Sequence, residues 1–328
     1  MIRHKARTAL LVGLVPASFC IAMLSGSADI GVKEFGELIA GNATPLNETI
    51  FHLRAMRAVD GFTVGALLAM AGSLLQVLLR NPLAEPYILG ISGGAGVASL
   101  SLLLLGISVI WLPAAAFGGA LLSTLLVFSV GFSRGSWSPA RLLLTGVVIA
   151  AGWSACISFL LALSTQRQVH GMLFWLMGDL GQSSGSWTGL VMMIGFLIIC
   201  WLFARQFNML AKGEMQAASL GVSVVMLRRY IFILASAMTA VSVSMAGSIG
   251  FVGLIVPHAL RLLGFGDYRA LLPAAVAAGG SFLVITDTLA RTILAPRQVP
   301  VGVVTALVGV PLFLFLLQRQ YGIRKSRA

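Results

Sequence analysis

The chain has 328 residues, of which 58% are hydrophobic and only 10% are charged, and its mean hydropathy is +0.98. A soluble domain carries about 25% charged residues, so this composition excludes a soluble protein. The apolar runs are continuous rather than alternating, which predicts membrane-spanning helices and excludes a membrane β-barrel. The net charge of +12 does not indicate nucleic-acid binding, because membrane topology accounts for it.

The N-terminal stretch has a basic start, an apolar run and small residues near Ala28. These features fit a cleaved signal peptide. They also fit a retained first helix, because residues 8–28 carry no charge over 21 positions and are long enough to span. We favour the retained helix.

Ten apolar segments predict an all-α, polytopic membrane protein with a single domain, residues 1–328. Segment 256–263 is too short to cross a hydrocarbon core of ~30 Å, so we expect a half-span packed inside protein. Two further segments lie between Glu85 and Arg134 and are divided near Pro113. The remaining predicted spans are 8–28, 61–79, 142–163, 188–203, 230–247, 272–294 and 303–317.

The distribution of basic residues orients these segments. An even number of segments puts both termini on one side of the membrane. With the termini in the cytoplasm, sixteen of the 22 Lys and Arg residues fall on the cytoplasmic side, as the positive-inside rule requires. The 37 glycines, including the pair Gly61 and Gly65, predict close helix packing in one bundle.

The stretch LLRNPLAEPYILGISGGAG, residues 78–96, interrupts two apolar runs with two prolines and several glycines. Pro82 and Pro86 lack the N–H that a helix needs, and Asn81 precedes a proline. Alone, the stretch predicts a tight turn between two spans, and any further role depends on the rest of the chain.

Several charged side chains are predicted to lie inside or near the membrane. Asp287 and Arg291 are spaced i, i+4 and can pair on one helix face, either for function or as a structural lock. Arg54 and Arg57 lie at the predicted outer boundary of the second span. They either extend to lipid headgroups or dock an acidic partner.

Residues 211–223 predict a short helix that does not span the membrane. Gly213 opens it, Gly221 ends it, and Ala217, Ala218 and Leu220 give it a small apolar face. Such a helix is either a connector or a knob that fits a cytoplasmic partner.

Catalytic chemistry is not indicated. The sequence has no Walker A, GxSxG or HExxH motif, and its ten acidic residues are dispersed. Cys20, Cys156 and Cys200 lie far apart in apolar runs, which predicts small buried hydrophobes. We therefore expect a non-enzymatic chain without a metal or a cofactor.

The chain resembles the membrane subunits of type II ABC importers, the FecCD/BtuC-type permeases. The resemblance covers nearly the whole chain and rests on seven stretches in order: RNPLAEPYILGISGGAG, ARLLLTGV, FWLMGDLG, NMLAKGEMQAASLGV, GSIGFVGLIVPHALRLLG, DYRALLPAA and VPVGVVTALVGVPLFLFLL. It implies a BtuC-like bundle in a bacterial inner membrane, in contact with membrane lipid. It also implies a second permease copy, two cytoplasmic ATPase subunits that bind the ATP, and a periplasmic substrate-binding protein.

The resemblance also implies cargo and residue roles. The cargo would be a ferric siderophore or haem, with cobalamin as the alternative. The matching positions are Arg54, Arg57 and Arg291 for binding-protein docking, Gly213, Glu214, Ala217, Leu220 and Gly221 for coupling to the ATPase, Asn81 and Leu83 for a cytoplasmic gate, and Ser164 and Thr165 for a periplasmic gate.

Two positions depart from the family pattern. Met56 stands where an Arg-x-Pro-Arg sequence has proline, and Asp179 puts a charge where a small residue is usual. Two other classes of protein are weighed against this one. A secondary transporter would need ion-coupling acids in the membrane, for which only Asp287 is a clear candidate, and a membrane enzyme would need a catalytic constellation.

Overall fold

The computed structural model describes residues 2–28, 30–131, 138–181 and 187–325; the side chains of 2–6 and 319–325 are outside this description. Arg134, which the topology places on the cytoplasmic side, lies outside the described residues. The described residues form helices and no strands. The α-helices are α1 Ile2–Leu24, α2 Val32–Ile39, α3 Pro45–Leu78, α4 Ile91–Leu104, α5 Leu112–Gly131, α6 Pro139–Leu163, α7 Gln166–Leu176, α8 Trp187–Leu202, α9 Ala204–Lys212, α10 Glu214–Ser219, α11 Val224–Ala246, α12 Val252–Leu262, α13 Tyr268–Thr292 and α14 Val301–Lys325.

The helices confirm an all-α membrane bundle, but not the predicted count of ten segments, of which one was a half-span. Within the described residues, seven helices are long and apolar enough to span, or eight if α8 and α9, bent by 56°, form one span. The predicted half-span is α12, with 11 residues. The first segment after Glu85 was expected to cross fully, yet α4 has only 14 residues. At 1.5 Å per residue α4 is about 21 Å long, which is too short to cross.

Helix α3 forms the centre of the bundle. It is 34 residues long and packs against α8, α11, α12 and α13. Glycines bring its backbone against its neighbours, as predicted for Gly65. A Cβ added at Gly65 would lie 2.2 Å from the Gly279 carbonyl oxygen, and one at Gly72 would lie 1.9 Å from that of Gly253. Small residues at these positions allow the contact that holds helices together in lipid.

Helix α3 also begins sixteen residues earlier than predicted, at Pro45 rather than at Gly61. Thr44 caps it by accepting a hydrogen bond from the Asn47 N–H at 3.3 Å, and Pro45 occupies the first helical position. This start signal is visible in the sequence. The extension puts Arg54, Arg57 and the fully buried Asp60 on a helix rather than in a loop.

Two irregular segments enter the bundle and bond to each other. The segment after α3 reaches Gly90, whose carbonyl oxygen accepts from Ser123 Oγ at 2.8 Å and which lies against Ala150 of α6. The segment between α11 and α12 donates from the Ile249 and Phe251 N–H groups to Tyr87 Oη and Glu85 Oε1. Because the two irregular segments form hydrogen bonds with each other, irregular backbone is tolerated inside the bundle.

Candidate functional site

The bundle has two polar ends, which we name by one residue each. The Arg57 end holds the charged side chains near the start of α3, and the Glu214 end holds those beyond its last residue, Leu78. Between Arg57 and Leu78 the helix rises by about 30 Å, close to the thickness of a hydrocarbon core. The two ends therefore lie on opposite sides of the apolar layer.

An ion cluster is buried at the Arg57 end. Asp287 of α13 lies 2.9 Å from Arg57 Nη2 and also accepts from Arg57 Nε at 3.0 Å. The pairing of Asp287 with Arg291 is confirmed, with Arg291 Nε 3.1 Å from Asp287 Oδ2. The Asp287 side chain is only 4% exposed. One buried carboxylate thus joins two guanidinium groups, and Arg57 fastens α3 to α13.

Asp179 belongs to the edge of this cluster. Its carboxylate lies 3.9 Å from Arg57 Nη2 and accepts from the Gly181 N–H, while its own N–H donates to the Ala246 carbonyl. The side chain is 24% exposed. Asp179, the residue that departs from the family pattern, is therefore a second and weaker partner for Arg57. It lies just after the end of α7.

Arg54 is almost fully buried and faces inward. Its guanidinium donates to the carbonyl oxygens of Met23 at 2.6 Å, Ala28 at 3.0 Å and Ile30 at 3.2 Å. Gly26 allows the chain to pass close to the guanidinium group, because an added Cβ would lie 2.6 Å from Arg54 Nη2. Arg54 thereby satisfies the Met23 carbonyl at the end of α1, which the helix leaves without a partner, and fastens the segment that follows α1.

A cavity of about 450 Å³ opens beside the cluster. All three arginines assigned to docking line it, together with His52 and Gln298. In this conformation Arg54 and Arg291 are 5% and 6% exposed, so they offer charge rather than contact surface. Their docking role stays a prediction, as does the effect of Met56, which also lines the cavity.

The predicted outer gate residues form a helix corner. Ser164 ends α6, and its hydroxyl donates to the Leu160 carbonyl oxygen at 2.7 Å. Thr165 caps α7 and is held by Gln168, whose Oε1 accepts from the Thr165 N–H at 3.1 Å. The corner is well ordered by these bonds, and gating by it stays a prediction.

At the Glu214 end, the predicted inner gate residues lie in a compact turn. Asn81 Oδ1 accepts from the Leu83 N–H at 2.9 Å, and the Ala84 N–H donates to the Asn81 carbonyl oxygen at 3.1 Å. Leu83 is 41% exposed. We call residues 80–85 the gate loop. The turn that the two prolines predicted is present, and its role as a gate stays a prediction.

The predicted coupling segment folds as a short helix, α10. Gly213 and Gly221 flank it with φ angles of +139° and +81°, a range that favours glycine. The predicted apolar face is divided, because Ala217 packs into the bundle while Leu220 is 64% exposed. Met215, which sequence reasoning missed, is 87% exposed.

Glu214 connects α10 to two other parts of the chain. Its Oε1 lies 3.1 Å from Arg80 Nη2 in the gate loop. Its Oε2 pairs with Arg228 of α11. Neither contact was predicted from the sequence, because Arg80 lies far from Glu214 along the chain and Arg228 lies on a different helix. The coupling segment and the gate loop are thus in direct ionic contact.

Comparison with known proteins decides the family. The FecCD transport family matches residues 14–319. The chain belongs to this FecCD family. It is 41% identical to the vitamin B12 import system permease protein BtuC of Klebsiella pneumoniae subsp. pneumoniae over 83% of each chain. It is 40% identical to the cobalamin import system permease protein BtuC of Halobacterium salinarum, over 88% of this chain and 75% of the relative.

A solved structure shows the same architecture. It is described as an inward-facing conformation of a metal-chelate type ABC transporter. The TM-score is 0.83 at 28% identity, over 94% of this chain and 97% of that one. The predicted BtuC-like permease bundle is therefore confirmed, and the chain is a multi-pass membrane protein.

Proposed function

We propose that the chain is the permease subunit of an ATP-driven importer that carries cobalamin into the cell by alternating access. The observation that carries this proposal is about 40% identity to two cobalamin permeases along more than four fifths of the chain. These names support cobalamin better than the ferric siderophore or haem that the resemblance first suggested. The two irregular segments that meet at Glu85 and Phe251 add support, because transporters place irregular backbone where it lines a cavity.

The proposed assembly contains a second permease copy, two cytoplasmic ATPase subunits and a binding protein on the outer side of a bacterial inner membrane. Helix α6 supports the second copy, because only Leu142 and Gly146 of its 25 residues are buried, whereas 94% of the most apolar 18-residue part of α3 is buried. Its exposed face includes the small residues Ala151, Gly152, Ala155 and Cys156. Such a face suits a conduit wall between two copies better than a lipid-facing surface. Both termini would be cytoplasmic.

The buried acid Asp287 favours this importer over a secondary transporter. An ion-coupling carboxylate must be free to bind and release its ion. Asp287 instead shares both oxygens with Arg57 and Arg291. We therefore assign the energy source to ATP bound by the partner subunits and not to an ion gradient through this chain.

Uptake by vesicles tests the proposal. The chain is reconstituted with its ATPase and binding protein, and radiolabelled cobalamin is offered with ATP inside the vesicles. We expect ATP-dependent cobalamin accumulation, with no accumulation when ATP is replaced by a proton gradient. A ferric siderophore and haem are offered in parallel. Import of either chelate without cobalamin would contradict the assigned cargo, and import driven by the gradient alone would contradict the assigned class.

The cavity at the Arg57 end is the proposed docking site for acidic side chains of the binding protein. Leu53 stands beside the cavity and is 63% exposed, so Leu53→Glu adds a negative charge without breaking an internal ion pair. We expect about tenfold weaker binding of the binding protein, equivalent to about 1.4 kcal/mol, and less effect at high salt. The measurement is affinity on immobilised vesicles, with Leu53→Gln as the neutral control. Equal affinities for the two variants would remove the cavity from the docking surface.

A further inference from the structure

We propose that Arg80 and Glu214 form the link through which movement of helix α10 reaches the gate loop. The inference deepens the proposed transport function and rests on it. Arg80 Nη2 lies 3.1 Å from Glu214 Oε1, at the junction between the last turn of α3 and the loop that holds Leu83. The link makes Arg80 a positioning residue, since it acts on the gate through the loop.

The backbone conformation at Arg80 is unusual for an arginine. Its φ angle is +49°, in the left-handed region, and it directly follows Leu79 at the end of α3. Helices commonly end with glycine in this conformation, and an arginine is disfavoured there by its Cβ. A glycine would fit the backbone better. The arginine is therefore explained by the contact that its side chain makes with Glu214.

Stability of the isolated chain does not explain that contact. The Arg80 and Glu214 side chains are 44% and 35% exposed, and ion pairs in contact with water contribute little to stability. The second carboxylate oxygen of Glu214 pairs with Arg228, whose side chain is 8% exposed. In the proposed assembly an ATPase covers α10 and removes water from the pair, which strengthens it.

The gate loop is built to move as one piece when Arg80 moves. The Asn81 side chain and carbonyl oxygen hold Leu83 and Ala84 in a closed turn directly after Arg80. At the other end of the loop, Glu85 Oε1 accepts from the Phe251 N–H at the start of α12. A displacement of Arg80 therefore swings the Leu83 side chain about a fixed point at Glu85.

Helix α10 has open space at both of its ends, although Ala217 anchors it to the bundle. An added Cβ at Gly213 or Gly221 would have no atom within 4 Å, so the flanking backbone is not packed against the bundle. Exposed Met215 and Leu220 give a partner apolar surface to grip. A partner that tilts α10 carries Glu214 with it, and Glu214 carries Arg80.

The substitution Arg80→Gly separates coupling from folding. It removes the ion pair but suits the left-handed backbone, so the chain should unfold at the same or a higher temperature. In the vesicle assay we expect cobalamin imported per ATP hydrolysed to fall at least fivefold. Arg80→Lys keeps the charge and should keep most of the coupling. Arg229→Ala, at an exposed arginine beside Arg228, serves as the control and should match the wild type.

A second readout needs no cargo and distinguishes the link from the transport proposal. Leu83→Cys is made in a chain with Cys20→Ser and Cys156→Ser, which leaves only the buried Cys200. In the assembled transporter, ATP should change the rate of thiol labelling at position 83, and Arg80→Gly should abolish that change. An unaltered ATP response in Arg80→Gly would overturn the link, whatever the cargo is. Absence of cobalamin uptake by the wild type, with this response intact, would overturn only the assigned cargo.

Discussion

Replacing Asp287 with alanine should lower the free energy of unfolding by about 3–5 kcal/mol, the largest single effect that we expect in this chain. Removing one member of a buried ion network leaves uncompensated charge in a low-dielectric region. Here the Arg57 and Arg291 side chains are 15% and 7% exposed and would both lose the Asp287 carboxylate, which leaves Arg57 with the weaker partner Asp179 at 3.9 Å. The measurement is denaturant or thermal unfolding of the purified chain in detergent micelles.

Two controls sharpen the Asp287 test. Asp179→Ala removes a carboxylate that is 24% exposed and 3.9 Å from the same arginine, so it should cost no more than about 1 kcal/mol. A triple variant with Asp287→Ala, Arg57→Leu and Arg291→Leu replaces the network by apolar groups and should recover most of the lost stability. A triple variant as unstable as Asp287→Ala alone would show that stranded charge is not the cause.

Gly119→Ala and Gly118→Ala should have effects of opposite sign, although the two residues are adjacent on α5. A Cβ at Gly119 would lie 2.2 Å from the Gly94 carbonyl oxygen and 2.7 Å from Ala98 Cβ, so it would push α4 away from α5. Overpacking of this kind costs about 1–3 kcal/mol. A Cβ at Gly118 would meet nothing within 4 Å. Alanine there should stabilise the helix by about 0.5–1 kcal/mol.

The glycine pair is compared by thermal unfolding in the same micelles. Because both variants add one methyl group to one helix turn, differences in hydrophobicity cancel. Equal midpoints for the two variants would show that α4 and α5 do not depend on close backbone approach at Gly94. The same result would weaken the interpretation of the other close glycine contacts, such as that of Gly72 with Gly253.

The sequence predicted the elements well because apolar length is a local property. Composition alone indicated a helical membrane bundle, and each predicted apolar segment coincides with a helix. Two errors have local causes. The start of α3 was placed too late because charged residues were interpreted as a loop, although Thr44 and Pro45 mark the start. Helix α4 was assigned a full crossing because the irregular stretch before it is apolar enough to be counted as part of a span.

The candidate site was only partly predictable because its contacts are not local. The pairing of Asp287 with Arg291 followed from i, i+4 spacing. The pairing of Arg57 with Asp287 joins residues 230 positions apart, and no spacing rule reaches that distance. The bond between Arg80 and Glu214 was hidden for the same reason. Family resemblance assigned roles to Arg57, Arg291 and Glu214 but did not identify their partners.

The paired breaks at Tyr87 and Ile249 bear on how the chain is made. Tyr87 leaves the ribosome 162 residues before Ile249, the residue whose N–H it accepts. Until that later segment arrives, the Glu85 carboxylate and the Tyr87 hydroxyl have water as their alternative partner, since a lone polar group in hydrocarbon is costly. The loop before α4 therefore stays hydrated during early insertion. The junction between the two irregular segments is therefore completed only after the segment between α11 and α12 has left the ribosome.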